Sequence, residues 1–225
     1  MRTDRGSARA RIVIVDDHEL ARAGLRSILA DEPDLEVVGE AANGAEAQAL
    51  CRRLRPDLVL TDVRMPDLDG LAVTRAIKRD HPTTSVIIVT MHEDLDYLFD
   101  ALKAGAAGYL LKDATQREVL AAVRQVVRGE SPLSPEKVTQ LLRRVPNGTL
   151  RGVGPPPERL TPREREVLRL VVRGQTNREI ARGLNVSVAT VKVHAERLIA
   201  KLGVSDRTQA AVRAVELGLV TPARE

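Results

Sequence analysis

The sequence contains little that a disulfide-stabilised or membrane-embedded protein would need. Its 225 residues include one cysteine, Cys51, no tryptophan, and three aromatic residues in all: Tyr97, Phe99 and Tyr109. One cysteine excludes an internal disulfide and a zinc site built from cysteines. No apolar run approaches the roughly 18 residues of a membrane span, and the first residues lack an apolar signal region. We therefore expect a cytoplasmic protein with an aliphatic core and no membrane segment.

The charge of the chain is unevenly distributed. The net charge of +4 at neutral pH combines −4 over residues 1–130, +3 over residues 131–160 and +5 over residues 161–225. An acidic N-terminal part and a basic C-terminal part suggest two domains, of which the second binds nucleic acid. The alternative, that +5 is the ordinary surface charge of a small helical domain, stays open at this point.

Short apolar runs alternate with helical patterns through the first half of the chain. Continuous apolar runs of this length are typical of strands in a buried parallel sheet. The predicted strands are 11–15, 36–39, 57–61, 85–90 and 108–111, and the predicted helices are 18–30, 44–54, 69–79, 95–104 and 115–128. Five such βα units predict a doubly wound, flavodoxin-like α/β domain with a five-stranded parallel sheet over residues 11–130.

A second domain is predicted beyond a linker. Residues 1–10 are expected to be disordered, and residues 131–159 to form a linker with one helix over 134–144 and a Pro/Gly-rich stretch. Thr161 and Glu164 form a capping box around Pro162, which marks the start of a helical domain. This all-α, four-helix domain spans 160–221, with predicted helices over 162–173, 177–183, 187–202 and 206–217.

Polar residues stand where four of the predicted strands end. Asp16 and Asp17 follow the first strand, and the third, fourth and fifth strands are followed or ended by Asp62, Thr90 and Lys112. Ligands of parallel α/β sheets bind outside the carboxyl ends of the strands, so we expect these groups to converge. Carboxylates suit Mg²⁺, an aspartate can attack a phosphoryl group, and an ammonium and a hydroxyl can contact phosphate oxygens.

This set of residues resembles the receiver domain of two-component response regulators. The resemblance covers residues 11–129 and rests on the strand-end residues together with Thr61-Asp62-Val63-Arg64-Met65-Pro66 and Tyr109-Leu110-Leu111-Lys112. It implies that Asp62 accepts a phosphoryl group from a sensor histidine kinase. It further implies a Mg²⁺ site formed by Asp16, Asp17, Asp62 and the backbone carbonyl of Arg64. Phosphate binding would come from Thr90 and Lys112. Thr90 and Tyr109 would change position on phosphorylation and act as a switch.

Some residues near this site keep alternative interpretations. Tyr109 is either a switch residue or a half-buried aromatic that fills the edge of the sheet. Arg64 and His92 are expected to tune the lifetime of the phosphoryl group by controlling the attacking water. His18 and His81 are expected to be surface residues rather than metal ligands.

The second domain contains a helix, a tight turn and a longer helix over residues 177–202, which is the pattern of a helix-turn-helix. The run Thr190-Val191-Lys192-Val193-His194 and the capping segment at Thr161 resemble the LuxR-type helix-turn-helix domain over 160–220. The resemblance implies that Lys192 and Val193 meet base edges, and that the phosphate contacts come from Thr176, Ser187, Thr190, His194, Arg197 and Lys201. Glu196 either repels phosphate or accepts a hydrogen bond from a cytosine amino group.

Together the two resemblances imply a response regulator of the NarL/FixJ type. It would bind Mg²⁺, a sensor histidine kinase and a double-stranded DNA operator, with RNA polymerase as a further candidate partner. Small alanines over 206–217 favour a homodimer after phosphorylation, the alternative being that they pack only on their own domain. One rival is a phosphorylation-independent DNA-binding regulator with a receiver-like dimerisation domain. The other is a Mg²⁺-dependent phosphatase; we expect no enzyme activity beyond slow self-dephosphorylation.

Overall fold

The computed structural model describes residues 9–66, 68–91, 95–133 and 160–220. The predicted helix over 134–144, the Pro/Gly-rich stretch and His92 lie outside these ranges. The first strand begins at Ala10, inside the range 1–10 that is predicted to be disordered, and residues 1–8 of that range lie outside the described residues. None of the helices in these ranges is long and apolar enough to cross a membrane.

The first domain is a five-stranded parallel sheet with helices on both faces. Its strands are β1 (Ala10–Val15), β2 (Leu35–Ala41), β3 (Leu58–Asp62), β4 (Ser85–Thr90) and β5 (Gly108–Leu111), in the order β2-β1-β3-β4-β5. Its helices are α1 (Glu19–Ala30), α2 (Gly44–Leu54), α3 (Gly70–Asp80), α4 (Leu95–Ala104) and α5 (Gln116–Val127). The strand order is that of flavodoxin-like domains, as the sequence predicts.

Alternation along each strand divides the core into two aliphatic layers. Side chains of one parity, such as Ile12 and Ile14, pack with residues of α1 and α5, including Leu29 and Val123. Side chains of the other parity pack with α2 and α3 through Val13, Val15, Val59, Ala47 and Ile77. Both sheet faces are therefore covered, which explains the continuous apolar runs in the sequence.

The second domain consists of α6 (Pro162–Val172), α7 (Asn177–Leu184), α8 (Val188–Leu202) and α9 (Arg207–Glu216). The predicted capping box is present at the start of α6. The Thr161 side chain accepts from the Glu164 amide, and the Thr161 amide donates to the Glu164 carboxylate over 2.7 Å. Thr176 caps α7, Ser187 caps α8 and Asp206 caps α9 in the same local way, so the helix starts are fixed by the neighbouring sequence.

The two domains contact each other through α4 and α9. Leu98 and Leu102 of α4 belong to the same buried cluster as Ala210, Ala211 and Ala214 of α9. The Gln209 amide nitrogen donates to the carbonyl oxygens of Leu102 and Ala106 over 3.1 and 2.7 Å. The alanines predicted to face a second copy are thus buried here, within a cluster that receives side chains from the first domain.

Candidate phosphoacceptor site and DNA-binding surface

The carboxylates predicted to bind Mg²⁺ lie where the strand order reverses. β1 has β2 on one side and β3 on the other, and the chain leaves β1 toward α1 on one face of the sheet and β3 toward α3 on the other. Ligands bind at such a switch point in open α/β sheets. Asp16 and Asp17 follow β1 directly, and Asp62 is the last residue of β3. Asp16 and Asp62 are buried, whereas Asp17 is partly exposed.

Lys112 reaches both buried carboxylates from the end of β5. Its ammonium nitrogen lies 2.7 Å from Oδ2 of Asp16 and 2.8 Å from Oδ2 of Asp62. Its backbone amide donates to the carbonyl of Thr90 over 2.6 Å, which ties the ends of β4 and β5 together. Burial alone would lower the pKa of Lys112, but its bonds to Asp16 and Asp62 outweigh burial and raise it. The convergence of ammonium and aspartates predicted from the sequence is present.

A close backbone approach holds the phosphoacceptor segment in place. The amide of Gly70, the first residue of α3, donates to the carbonyl of Val63 over 2.7 Å. A Cβ atom at Gly70 would lie 2.0 Å from the backbone oxygen of Asp62, so only glycine fits. Gly70 is not among the predicted site residues, although Asp69-Gly70 marks a turn in the sequence and Asp69 caps α3.

The donor set fits a hard divalent cation. Asp16, Asp17, His18 and Asp62 each offer one ligand atom, and these atoms all lie within 4.8 Å of one another. Among the described residues none gives Oδ2 of Asp16 a hydrogen bond of good geometry, and it faces the Lys112 ammonium as an ion pair. Carboxylate oxygens are what Mg²⁺ prefers. The Arg64 carbonyl, two residues past Asp62, stays a predicted fourth protein ligand.

The predicted switch residues lie between this site and the domain contact. Thr90 ends β4 and is buried. Tyr109 in β5 is half-buried, which matches the sheet-edge interpretation of its position. Its ring packs against the cluster around Val63 and Ala101 and also against the cluster that joins α4 to the second domain. A movement of Tyr109 would therefore change the packing at the α4–α9 contact.

The histidines differ in placement from one another. His18 has 72% of its side chain exposed, as predicted, yet its ring nitrogen lies 3.0 Å from Asp17. His81 was predicted to be a surface residue, and this is wrong, because it is buried behind the end of α3 with Nδ1 3.0 Å from Nη1 of Arg55. Burial and the Arg55 charge lower the pKa of His81.

Most predicted DNA contacts form an exposed surface on α7 and α8. Six of the eight are exposed: Thr176, Ser187, Thr190, Lys192, Val193 and Arg197. Val193 is an apolar side chain with 45% exposure, which suits contact with a thymine methyl group. His194 is half-buried, and its Nδ1 faces the interior without a hydrogen-bond partner among the described residues.

Lys201 is engaged within its own domain. Its ammonium lies 2.8 Å from Oε2 of Glu164, a carboxylate that is only 2% exposed. This ion pair joins α8 to the start of α6. Breaking the pair would leave a buried charge uncompensated, so Lys201 has a structural role here, and its phosphate contact stays a prediction. The Lys192 ammonium makes a longer ion pair, 3.9 Å from the Glu130 carboxylate at the end of the first domain.

Comparison with known proteins decides the family. Residues 12–124 match the response regulator receiver domain, and residues 158–214 match the bacterial regulatory proteins of the luxR family. The chain belongs to the two-component response regulators. This response regulator is 39% identical over 210 residues to the response regulator protein VraR of Staphylococcus aureus, covering 93% of this chain and 98% of that relative.

Solved structures agree with this assignment. The signal receiver domain of NarL from Mycobacterium tuberculosis is 38% identical with a TM-score of 0.53, covering 54% of this chain and 98% of that one. A complex of the response regulator RcsB with DNA is 28% identical with a TM-score of 0.54, covering 93% of this chain and 100% of that one. A receiver joined to a LuxR-type domain makes this response regulator a DNA-binding regulator of transcription.

Proposed function

We propose that phosphorylation of Asp62 by a sensor histidine kinase controls DNA binding by this regulator. The observation that carries the proposal is the convergence of Lys112 with Asp16 and Asp62, at 2.7 and 2.8 Å. In the reaction, an oxygen of Asp62 bonds to phosphorus as the bond from phosphorus to the kinase histidine breaks, and the histidine nitrogen keeps the electron pair. The site then holds an acyl phosphate on Asp62.

Several side chains offset the negative charge that meets in this pocket. Asp16, Asp17, Asp62 and the Arg64 carbonyl would hold Mg²⁺, whose charge would offset that of the carboxylates and the phosphoryl group. The Lys112 ammonium would move from the Asp62 carboxylate to a phosphoryl oxygen, and the Thr90 hydroxyl would donate to another. We further propose that the site catalyses no reaction beyond a slow self-dephosphorylation of Asp62.

The signal is proposed to reach DNA through the α4–α9 contact. Thr90 ends β4, the strand next to that of Asp62, Tyr109 packs with Ala101 of α4, and α4 residues pack against the alanines of α9. Among the described residues, the contact between the domains includes two hydrogen bonds from Gln209, one of 2.9 Å between Thr208 and Ser131, and the packing of Leu98 and Leu102 on the α9 alanines. We call the form with this contact closed and the form without it open. A phosphoryl group on Asp62 that favours the open form by a few kcal/mol would break the α4–α9 contact.

The released form is proposed to bind DNA as a homodimer. Opening would free the α9 alanines for a second copy and draw Glu130 away from Lys192, which is 3.9 Å from it in the closed form. The similar protein RcsB has been solved on DNA, including as dimers, which supports the proposal by analogy. Two half-sites would then be read by the α8 helices. RNA polymerase is a further candidate partner.

Two measurements test this function. Labelling by acetyl phosphate with Mg²⁺ should modify the wild type and not Asp62→Asn; label that persists in the variant refutes the site. Beryllofluoride should then convert the wild type to a dimer with higher DNA affinity. A protein whose mass and DNA affinity ignore beryllofluoride would instead be the phosphorylation-independent regulator, and steady turnover of added phosphomonoesters would favour the phosphatase.

A further inference from the structure

Arg22 is an unusual residue for its place in α1. It lies in the first turn of the helix, where the free amide groups carry partial positive charge and acidic side chains are preferred. Its side chain is nevertheless only 17% exposed. The guanidinium turns back beyond the start of the helix, and Nη1 donates to the backbone carbonyl of Asp16 over 2.6 Å. A contact outside the helix therefore explains the position of this arginine.

A carboxylate from a neighbouring strand also holds the Arg22 guanidinium. Nε of Arg22 lies 3.7 Å from Oε2 of Glu40. Glu40 is on β2 and pairs with Ile14 of β1, so it lies beside the last residues of the strand that leads into Asp16. Arginine has five donors in a rigid plane, which lets it contact a carbonyl and a carboxylate at once. Arg22 thus connects β2 to the backbone that follows β1.

The bond from Arg22 supports the backbone that carries two of the predicted Mg²⁺ ligands. The Asp16 amide donates to the carbonyl of Ala41 on β2 over 3.2 Å, and the Asp16 carbonyl accepts from Arg22. Because Asp16 is only 1% exposed, water cannot readily replace a lost donor at that carbonyl. The carbonyl belongs to the planar peptide group that joins Asp16 to Asp17, so its orientation affects the direction of both carboxylates.

We propose that Arg22 is a positioning residue for the Mg²⁺ site, which with Glu40 holds the peptide group after Asp16 in the orientation that suits the cation. The inference rests on the proposed function. Groups outside the ligand shell that orient metal ligands contribute about 10–100-fold to metal affinity. The charge of Arg22 acts in the opposite direction, because it repels a cation, but Glu40 offsets that charge. A positioning role therefore predicts weaker Mg²⁺ binding without Arg22, whereas an effect of its charge alone predicts tighter binding.

The Mg²⁺ dependence of acetyl phosphate labelling in the full chain tests this inference. Arg22→Met keeps an apolar stem and removes the donors, so the Mg²⁺ concentration for half-maximal labelling rate should rise about tenfold. The rate at saturating Mg²⁺ should stay close to that of the wild type, because the filled site has the same groups around Asp62. Arg26→Met is the matched control, which should leave the Mg²⁺ requirement unchanged. It removes the same charge one turn later in α1, from a side chain that is 58% exposed and also pairs with Glu40, over 3.1 Å.

Thermal melts at increasing MgCl₂ measure the same affinity without the reaction, since a ligand of the folded state raises the melting temperature. Arg22→Met should need about tenfold more Mg²⁺ than the wild type for the same rise. Arg22→Lys keeps the charge and one donor group but not the planar fork, so its Mg²⁺ requirement should lie between the two. This variant keeps the inference testable if Arg22→Met does not fold.

The outcomes separate this inference from the proposed function. A Mg²⁺ requirement of Arg22→Met that equals that of the wild type or of Arg26→Met overturns the positioning role, and so does a lower requirement. A lower melting temperature with an unchanged Mg²⁺ requirement also overturns it, because Arg22 would then stabilise only the fold. Label that persists in Asp62→Asn would instead refute the phosphoacceptor itself, whatever Arg22 does.

Discussion

Replacing Gln209 by alanine should loosen the contact between the two domains. The Gln209 amide nitrogen donates to two carbonyl oxygens at the end of α4, over 3.1 and 2.7 Å. A neutral hydrogen bond contributes a net ~0.5–1.5 kcal/mol, so two contribute ~1–3 kcal/mol. Because Gln209 is half-buried, water replaces part of what is lost, and about 1.4 kcal/mol is a reasonable value. That shifts the equilibrium between closed and open forms about tenfold.

The assay is DNA affinity with and without beryllofluoride. Unphosphorylated Gln209→Ala should bind DNA about tenfold more tightly than the unphosphorylated wild type, since less free energy is needed to open it. With beryllofluoride the two proteins should bind alike, because the contact is already broken. Gln116→Ala makes the same change at an exposed position on α5 and should have no effect. Unphosphorylated Gln209→Ala with wild-type affinity would refute the role of the contact.

Two further predictions concern stability and are measured by thermal melts. Gly70→Ala should lower the melting temperature, because its Cβ would meet the Asp62 backbone oxygen and overpacking costs ~1–3 kcal/mol or more. Gly24→Ala should raise the melting temperature, because Gly24 has open space in α1 and alanine has a helix propensity that is better by up to ~1 kcal/mol. Melting temperatures that shift in the same direction in the two variants would contradict the prediction. Lys201→Met should cost ~1.5–3 kcal/mol at pH 7, because buried Glu164 loses its charged partner. Although burial raises the pKa of Glu164, its bond to Lys201 helps bring the net shift downward, so this stability is present above about pH 4.3 and lost on acidification. The acid side of the curve should therefore be flatter in Lys201→Met, and parallel curves would refute the pair.

Features fixed by neighbouring residues were predictable from the sequence. The helix starts at Thr161, Thr176 and Ser187 depend on side chains within three residues, and each lies where the pattern places it. The strand bounds also agree to within two residues, because continuous apolar runs are distinctive when both sheet faces are covered. The phosphoacceptor pocket follows from these strands, since parallel strands bring their carboxyl ends to one edge.

Features that depend on distant partners were not predictable. Lys192 and Lys201 both lie on α8 and look equivalent in the sequence, yet Glu164, 37 residues away, engages only Lys201. His81 looks like a surface residue because Asp80 and Pro82 flank it, but Arg55 from the end of α2 packs over it. The α4–α9 contact joins segments over 100 residues apart, and the apolar periodicity of each helix does not indicate which helix it packs against.

The most direct test of the central claim measures DNA binding by fluorescence anisotropy on a genomic fragment selected by the phosphorylated wild type. Wild type and Asp62→Asn are each titrated with and without beryllofluoride and Mg²⁺. The account predicts that beryllofluoride raises wild-type affinity about tenfold or more and leaves Asp62→Asn unchanged. Equal responses in the two proteins, or no response in the wild type, would contradict it.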